Sequence, residues 1–325
     1  MNKRILVTGC AGFVGYMTSI KFLQSGYKVL GIDDMNDYYS VRLKKWRVKG
    51  IERIGQENFD FVEGDISTDV LTKIGEFGQF DGVIHLAAQA GVRFSLEKPE
   101  RYIQSNILAF DKILSWTREK AIGKFLYASS SSVYGKTSKM PLKETMPCNE
   151  PESYYAATKK ANEMMAFSKW RSHSMLSLGM RFFTVYGPAG RPDMAPFIFT
   201  SKVLKSETIE LFNFGKQRRD FTYIDDIVES IFRLYNVYPE RVKSAEIVNI
   251  GCGSPISLET FVQCLEACSG RKVKVELSPE QPGDVRETYA DTQKLDEWIG
   301  KWDKVTFAQG LSRTYDWVQT YEHLI

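Results

Sequence analysis

Only three histidines stand in 325 residues, too few and too scattered to build a histidine-rich metal site, so no metal is expected. Five cysteines (Cys10, Cys148, Cys252, Cys264 and Cys268) make an odd number without any Cys-x-x-Cys spacing. That excludes a complete disulfide framework and a zinc ribbon. Cys264 and Cys268 share a helical face, but no histidine is close in sequence, and buried free thiols of an intracellular protein are expected. No apolar run reaches the length of a membrane-spanning helix. Lys3 and Arg4 before Ile5-Leu6-Val7 faintly imitate a signal peptide, yet that stretch is short and runs directly into glycines. It reads as the first strand of a cytoplasmic protein. Charge of one sign is also missing: 43 Lys and Arg against 40 Asp and Glu leave +3, which argues against nucleic acid and anionic membrane as partners. The one basic cluster, 42–53, is expected to solvate a helix face.

The apolar content of 43% with 26% charged residues is that of an ordinary globular enzyme. The length suits one large α/β unit with a smaller second lobe. Short β-branched runs at 4–8, 28–33, 59–63, 82–86, 124–129 and 175–181 alternate with helical stretches such as 12–25, 102–120 and 154–172. Such alternation predicts a doubly wound parallel α/β sheet, a Rossmann fold. Pro188, Pro192 and Pro196 break the pattern, after which a helix at 227–235 and a strand at 246–250 return to the sheet. The expected division is a cofactor domain over 1–185, with returns near 222–250. A smaller α/β C-terminal lobe for substrate would comprise 186–221 and 251–325.

Gly9-Cys10-Ala11-Gly12-Phe13-Val14-Gly15 follows an apolar strand and opens an amphipathic helix. Glycines there permit a tight turn and close approach of a pyrophosphate, and the helix N-terminus offers free N–H groups and a favourable dipole. Asp33 ends the next strand, where a carboxylate accepts hydrogen bonds from the adenosine ribose and repels a 2′-phosphate. The expected cofactor is therefore NAD and not NADP. Tyr155-Ala156-Ala157-Thr158-Lys159 places a phenol and an ammonium one helical turn apart. A phenol is a poor base at neutral pH. The neighbouring ammonium and an oxidised nicotinamide should favour phenolate and lower its pKa.

The Gly-x-x-Gly-x-x-Gly spacing and the Tyr-x-x-x-Lys pair resemble the extended short-chain dehydrogenase/reductase superfamily. The resemblance implies a catalytic Ser130, Tyr155 and Lys159, with Ser130 bonding the reacting hydroxyl. It also implies that Asp65 and Ile66 meet the adenine and that Leu86, Ala87 and Ala88 pass the cofactor ribose. Asn106 would lie under the nicotinamide, and Phe13, Val14, Asn36, Gln89 and Phe183 would complete the cofactor contacts.

Where dehydratases of that superfamily carry Asp-Glu, and decarboxylases keep the Glu, this chain has Ser131 and Ser132. No carboxylate there means no obvious base for C5 of a sugar, which favours 4-epimerisation. Asp34-Met35-Asn36-Asp37-Tyr38-Tyr39, Ala88-Gln89-Ala90-Gly91-Val92-Arg93 and Arg191-Pro192-Asp193-Met194 are similar to segments of UDP-glucuronate 4-epimerases. These belong to the NAD-dependent epimerase/dehydratase family. By that resemblance Ser131, Ser132 and Thr184 hold the substrate carboxylate, with Arg191 beside it or the diphosphate and Arg93 a further candidate. Arg219 takes the diphosphate, Asp284 the nucleotide ribose, and 209–214 the base. The chain departs from the pattern at Ala189-Gly190, where relatives often have Arg-Gln, and at Gln281, where an arginine is usual. A homodimer through helices 102–120 and 154–172 is implied too. The readings left open are epimerisation of a neutral UDP-sugar, decarboxylation of UDP-glucuronate, and a non-catalytic NAD-binding regulator.

Overall fold

Buried β-branched and leucine-rich runs need partners on both faces, and here they pair side by side. The computed structural model describes residues 3–137, 139–279 and 287–325. Strands β1 (Arg4–Thr8), β2 (Lys28–Asp33), β3 (Phe59–Glu63), β4 (Gly82–His85), β5 (Phe125–Ser130) and β6 (Ser177–Phe182) come first. After them come β7 (Thr184–Tyr186), β8 (Ile209–Leu211), β9 (Arg218–Arg219), β10 (Phe221–Tyr223), β11 (Ala245–Ile250), β12 (Ile256–Ser257) and β13 (Val275–Leu277). A seven-stranded sheet runs β3-β2-β1-β4-β5-β6-β11, with every pairing parallel. The doubly wound Rossmann sheet expected from the alternation is thus present, and its order reverses between β1 and β4, the crevice where such sheets bind ligands. The remaining strands form three two-stranded ribbons, β10-β7, β12-β9 and β13-β8.

Helices α1 (Phe13–Gln24), α2 (Val41–Gly55) and α3 (Val70–Gly75) follow the first three strands. Beyond β4 come α4 (Phe94–Glu97), α5 (Pro99–Tyr102), a π-helical turn at Ile103–Leu108 and α6 (Ala109–Glu119). The later helices are α7 (Tyr154–His173), α8 (Ala195–Leu204), α9 (Ile224–Arg241), α10 (Leu258–Ser269), α11 (Gln293–Ile299) and α12 (Phe307–Tyr321). Among the described residues no helix is long and apolar enough to cross a membrane. All five cysteines are free; Cys10 and Cys148 are buried, the other three only partly so.

Two expectations need correction. The single helix over 102–120 is interrupted by the π turn, because Asn106 there turns its carbonyl to the Asn162 side chain of α7 and its amide to Gln89 and Thr158. A widened turn frees backbone groups for such contacts and often marks a functional segment. The basic cluster is not all solvated either. It forms α2, but Lys44 and Arg47 sit on its inner face, 3% and 0% exposed. Lys44 approaches Asp33 at 3.8 Å, while Arg47 meets backbone carbonyls.

A buried ion pair ties α7 to the sheet. Arg181 on β6 grips Glu163 bidentately, with both bonds 2.8 Å. Ser129, at the end of β5, donates to the same carboxylate at 2.7 Å. Planar, fork-to-fork geometry of this kind fixes orientation as well as energy. It sets the register of the helix carrying Tyr155 and Lys159 against the strand carrying Ser130.

Candidate active site

The carboxyl ends of β1, β2, β4, β5 and β6 and the loops beyond β6 enclose one cavity of about 900 Å3. One wall is the glycine loop. Gly9 has φ +71°, and a Cβ there would sit 2.7 Å from Ala87 N and 2.8 Å from its Cα. Gly12 caps α1 without any side-chain hydrogen bond, so the dipole and N–H groups of the first turn face the cavity uncapped. Phe13, Val14, Gly15, Asn36, Asp65, Ile66, Leu86, Ala87, Ala88 and Gln89 line the same end. Asp33 accepts from Ala11 N at 3.1 Å and Met35 N at 2.9 Å. Burial pushes its carboxyl up, and Lys44 with those two N–H groups offsets part of that. A backbone cradle that a methyl group would fill, an uncapped helix start and a carboxylate at the end of β2 fit a dinucleotide.

Ser130, Tyr155 and Lys159 line the cavity together. Ser153 caps α7, accepting from Ala156 N at 3.1 Å, so Tyr155 falls in the first turn. Ser132 donates to the Ser130 hydroxyl through both its own hydroxyl (2.7 Å) and its backbone N–H (3.2 Å). Ser130 also faces the Tyr155 phenol and favours its ionised form. Of the two charges expected to lower the Tyr155 phenol, the Lys159 ammonium does not do so. Burial pushes the phenol up, and Ser130 and the Arg191 charge only partly compensate. The Lys159 ammonium is turned instead to the backbone, its Nζ donating to Ala128 O at 2.9 Å. Burial brings the Lys159 ammonium down to about 8. His85 offers no competing acid at neutral pH: it is buried against Thr8 and held at about 3, by burial first and then by Lys159.

The Lys159 shift has a kinetic consequence. Its charge is lost as pH rises through about 8, far below the usual lysine range. With that charge goes its support for any anionic oxygen nearby. The profile of kcat/KM from pH 6 to 10 should therefore fall on an alkaline limb near 8. In Lys159→Arg, which stays charged throughout, residual activity should lack that limb.

Asn106 does not line the cavity, contrary to a direct cofactor contact. It is 1% exposed, and its side chain accepts from Gln89 N and donates to Gln89 O and Thr158. Asn106 thus braces the β4 loop against α7 from behind. Asp284 lies outside the described residues, as do Gln281 and Arg286.

Ser131, Ser132, Phe183, Thr184, Arg191, Arg93 and Arg219 all reach the cavity. The Ser132 hydroxyl is directed to Ser130. Arg191 pairs with Asp193 at 2.5 and 3.0 Å, and Asp193 accepts from the Tyr38 hydroxyl at 2.9 Å. The motifs around 38 and 191, distant in sequence, meet at this point. Arg93 lies 5.3 Å over the Phe212 ring. Arg219 donates to Arg218 O at 3.1 Å and Gln217 Oε1 at 3.4 Å. The neighbouring Asp220 is engaged elsewhere, accepting from the N–H groups of Cys252, Gly253 and Ala290. Tyr38, Lys44 and Asp193 were missed as cavity residues. Only the spacing of the Asn-Asp-Tyr-Tyr and Arg-Pro-Asp-Met segments hinted at them.

The chain is similar to known proteins over nearly its whole length. Protein CapI of Staphylococcus aureus is 42% identical over 98% of this chain and 99% of its own length. The UDP-glucuronate 4-epimerase of Thermodesulfobacterium geofontis is 38% identical over 98% and 97%. The crystal structure of UDP-glucuronic acid 4-epimerase from Bacillus cereus, in complex with UDP-glucuronic acid and NAD, superposes with a TM-score of 0.90 at 31% identity, over 98% and 99% of the two chains. A family match over residues 5–251 runs from the first to the last strand of the central sheet, and on that extent the chain belongs to the NAD dependent epimerase/dehydratase family.

Proposed function

We propose that this protein interconverts UDP-glucuronate and UDP-galacturonate by transient oxidation at C4 of the sugar, with NAD as a retained cofactor. The observation that carries the reading is a single cavity joining the glycine loop, the Ser130–Tyr155–Lys159 group and Arg191. The glycine loop, Asp33 and the walls at 65–66 and 86–89 would hold the NAD. When bound, it supplies a reversible two-electron acceptor. Oxidising an alcohol also releases a proton, and Tyr155, with Ser130 beside it, takes that proton from the 4-hydroxyl oxygen and later gives it back. Lys159 supplies positive charge beside this transfer. The 4-keto sugar turns over between the two proton movements, so the second delivers the opposite configuration.

Ser131, Thr184 and Arg191 are assigned to the sugar carboxylate. A 4-ketouronate is a β-keto acid and loses CO2 when its carboxylate bond aligns with the carbonyl π system. Fixed hydroxyl dipoles can hold the carboxylate out of that alignment. Serines at 131 and 132, in place of carboxylates, support epimerisation over dehydration and decarboxylation. Arg219 and Arg93 are assigned to the diphosphate end, Phe212 and β8 to the base, and Asp284 to the ribose. Residues 1–185 and 222–250 would carry the cofactor, and 186–221 with 251–325 the nucleotide sugar. Five free thiols suit a cytoplasmic location. Side-by-side assays decide the substrate: kcat/KM for UDP-glucuronate should exceed that for UDP-glucose by about 100-fold or more, the cost of leaving a charged site unpaired. Equal values would transfer the reading to a neutral-sugar epimerase.

Exposed Leu108, Met164 and Phe167, on the π turn and α7, support a homodimer through these helices. Light scattering should then return twice the 37.2 kDa chain mass.

A further inference from the structure

Arg47 has no place in the reaction just described, yet it is 0% exposed. Its guanidinium donates from Nε to Ala189 O at 3.1 Å and from Nη2 to Ala189 O and Gly190 O, both at 2.8 Å. Nη1 donates to Ala11 O at 2.8 Å and to the Tyr39 hydroxyl at 2.6 Å. These contacts use all five N–H donors that an arginine carries, and every acceptor is a neutral oxygen. Burying a charge without an anion is costly, and an apolar side chain would fill the space more cheaply. Stability alone is a poor reason for such a residue.

The three segments it joins explain it better. Ala11 sits inside the glycine loop, Tyr39 ends the segment after β2, and Ala189-Gly190 leads directly into Arg191. That last turn is tight and carries local strain. Ala189 has φ 56°, in the left-handed region that costs a non-glycine residue. A Cβ on Gly190 would meet the Phe197 ring at 2.6 Å and Gly187 O at 2.9 Å. Arg191 is therefore held from two sides. Its side chain is held through Asp193 and Tyr38, and its backbone through Gly190 and Arg47.

We propose that Arg47 is a positioning residue that makes the cofactor loop and the Arg191 substrate loop a single unit, so that it controls both cofactor retention and selectivity for an anionic sugar. The selectivity half rests on the reading that Arg191 meets the sugar carboxylate; the retention half does not. Arg47 acts through the backbone and touches neither ligand. Lysine cannot replace it, because a compact ammonium cannot span four acceptors in a planar fork.

The test compares wild type, Arg47→Lys and the milder Tyr39→Phe, which removes one acceptor. NAD per polypeptide and its loss on dilution are measured, with KM and kcat for UDP-glucuronate and Kd for UDP alone. In NAD-loaded Arg47→Lys, KM for UDP-glucuronate should rise about tenfold while kcat changes less than about threefold. Affinity for UDP should stay within about twofold, and NAD should dissociate about tenfold faster. Tyr39→Phe should move both quantities the same way by about two- to threefold, and it carries the test if Arg47→Lys does not fold. A folded Arg47→Lys with wild-type KM and NAD retention overturns the proposal, as does an equal loss of UDP and UDP-glucuronate affinity. A wild type that does not favour UDP-glucuronate over UDP-glucose would defeat the carboxylate reading instead, and faster NAD loss from Arg47→Lys would still stand.

Discussion

Tyr155→Phe should lower kcat by about 1,000-fold, the upper range of what a positioned acid–base group contributes, while leaving the protein folded and loaded with NAD. The ring keeps its edge contact with Tyr102, at 6.2 Å between centroids, so only the hydroxyl is lost. Ser130 cannot substitute. Its oxygen already accepts two hydrogen bonds from Ser132, and a serine hydroxyl is a far weaker acid than a phenol. His85 cannot either, being held neutral away from the cavity by burial. The raised phenol pKa strengthens the expectation. In the protein itself Tyr155 rests protonated, and proton removal must come with cofactor charge and substrate in place. Single-turnover assays with thermal melts would check both halves. A kcat within tenfold of wild type would move proton transfer to another group.

Gly9→Ala should yield protein with less than about a tenth of the wild-type NAD. Two costs coincide at this position. The residue has φ +71°, where a β-carbon costs about 1–2 kcal/mol. The added methyl would also lie 2.7 Å from Ala87 N, 2.8 Å from Ala87 Cα and 2.9 Å from Leu86 C, backbone atoms that cannot swing aside. Relief requires the glycine loop and the Leu86–Ala87 turn to part, and these are opposite walls of the same cradle. Absorbance ratios of the purified protein would measure the cofactor directly, with a melt to show that the sheet survives. Normal NAD content would mean that the dinucleotide does not depend on this turn.

Much of the frame was legible because its signals are local. Each strand of the central sheet lies within two residues of its apolar run, and the glycine loop declares itself by sitting between β1 and α1. The pairing of Tyr155 with Lys159 followed from their spacing on one face of a helix, and Ser130 joined them through the superfamily resemblance. What could not be read depends on tertiary neighbours. Lys44 and Arg47 look like solvated charge in a run of basic residues, and only their acceptors on other segments bring them inside. Asn106 matched a cofactor residue by position, but its amide is taken up by Gln89 and Thr158. The effect of Lys159 on the Tyr155 phenol was misread for a similar reason. Spacing places Lys159 on the same face, but not its ammonium, which turns to Ala128 O.

The glycine loop implies that NAD binds, and the residues around Ser130 imply further that it is not consumed. The most direct measurement is NMR of the purified protein with UDP-glucuronate and no added cofactor. UDP-galacturonate should accumulate to a stable ratio over many turnovers, without CO2 release. No product from NAD-containing protein, or a UDP-pentose in its place, would contradict it.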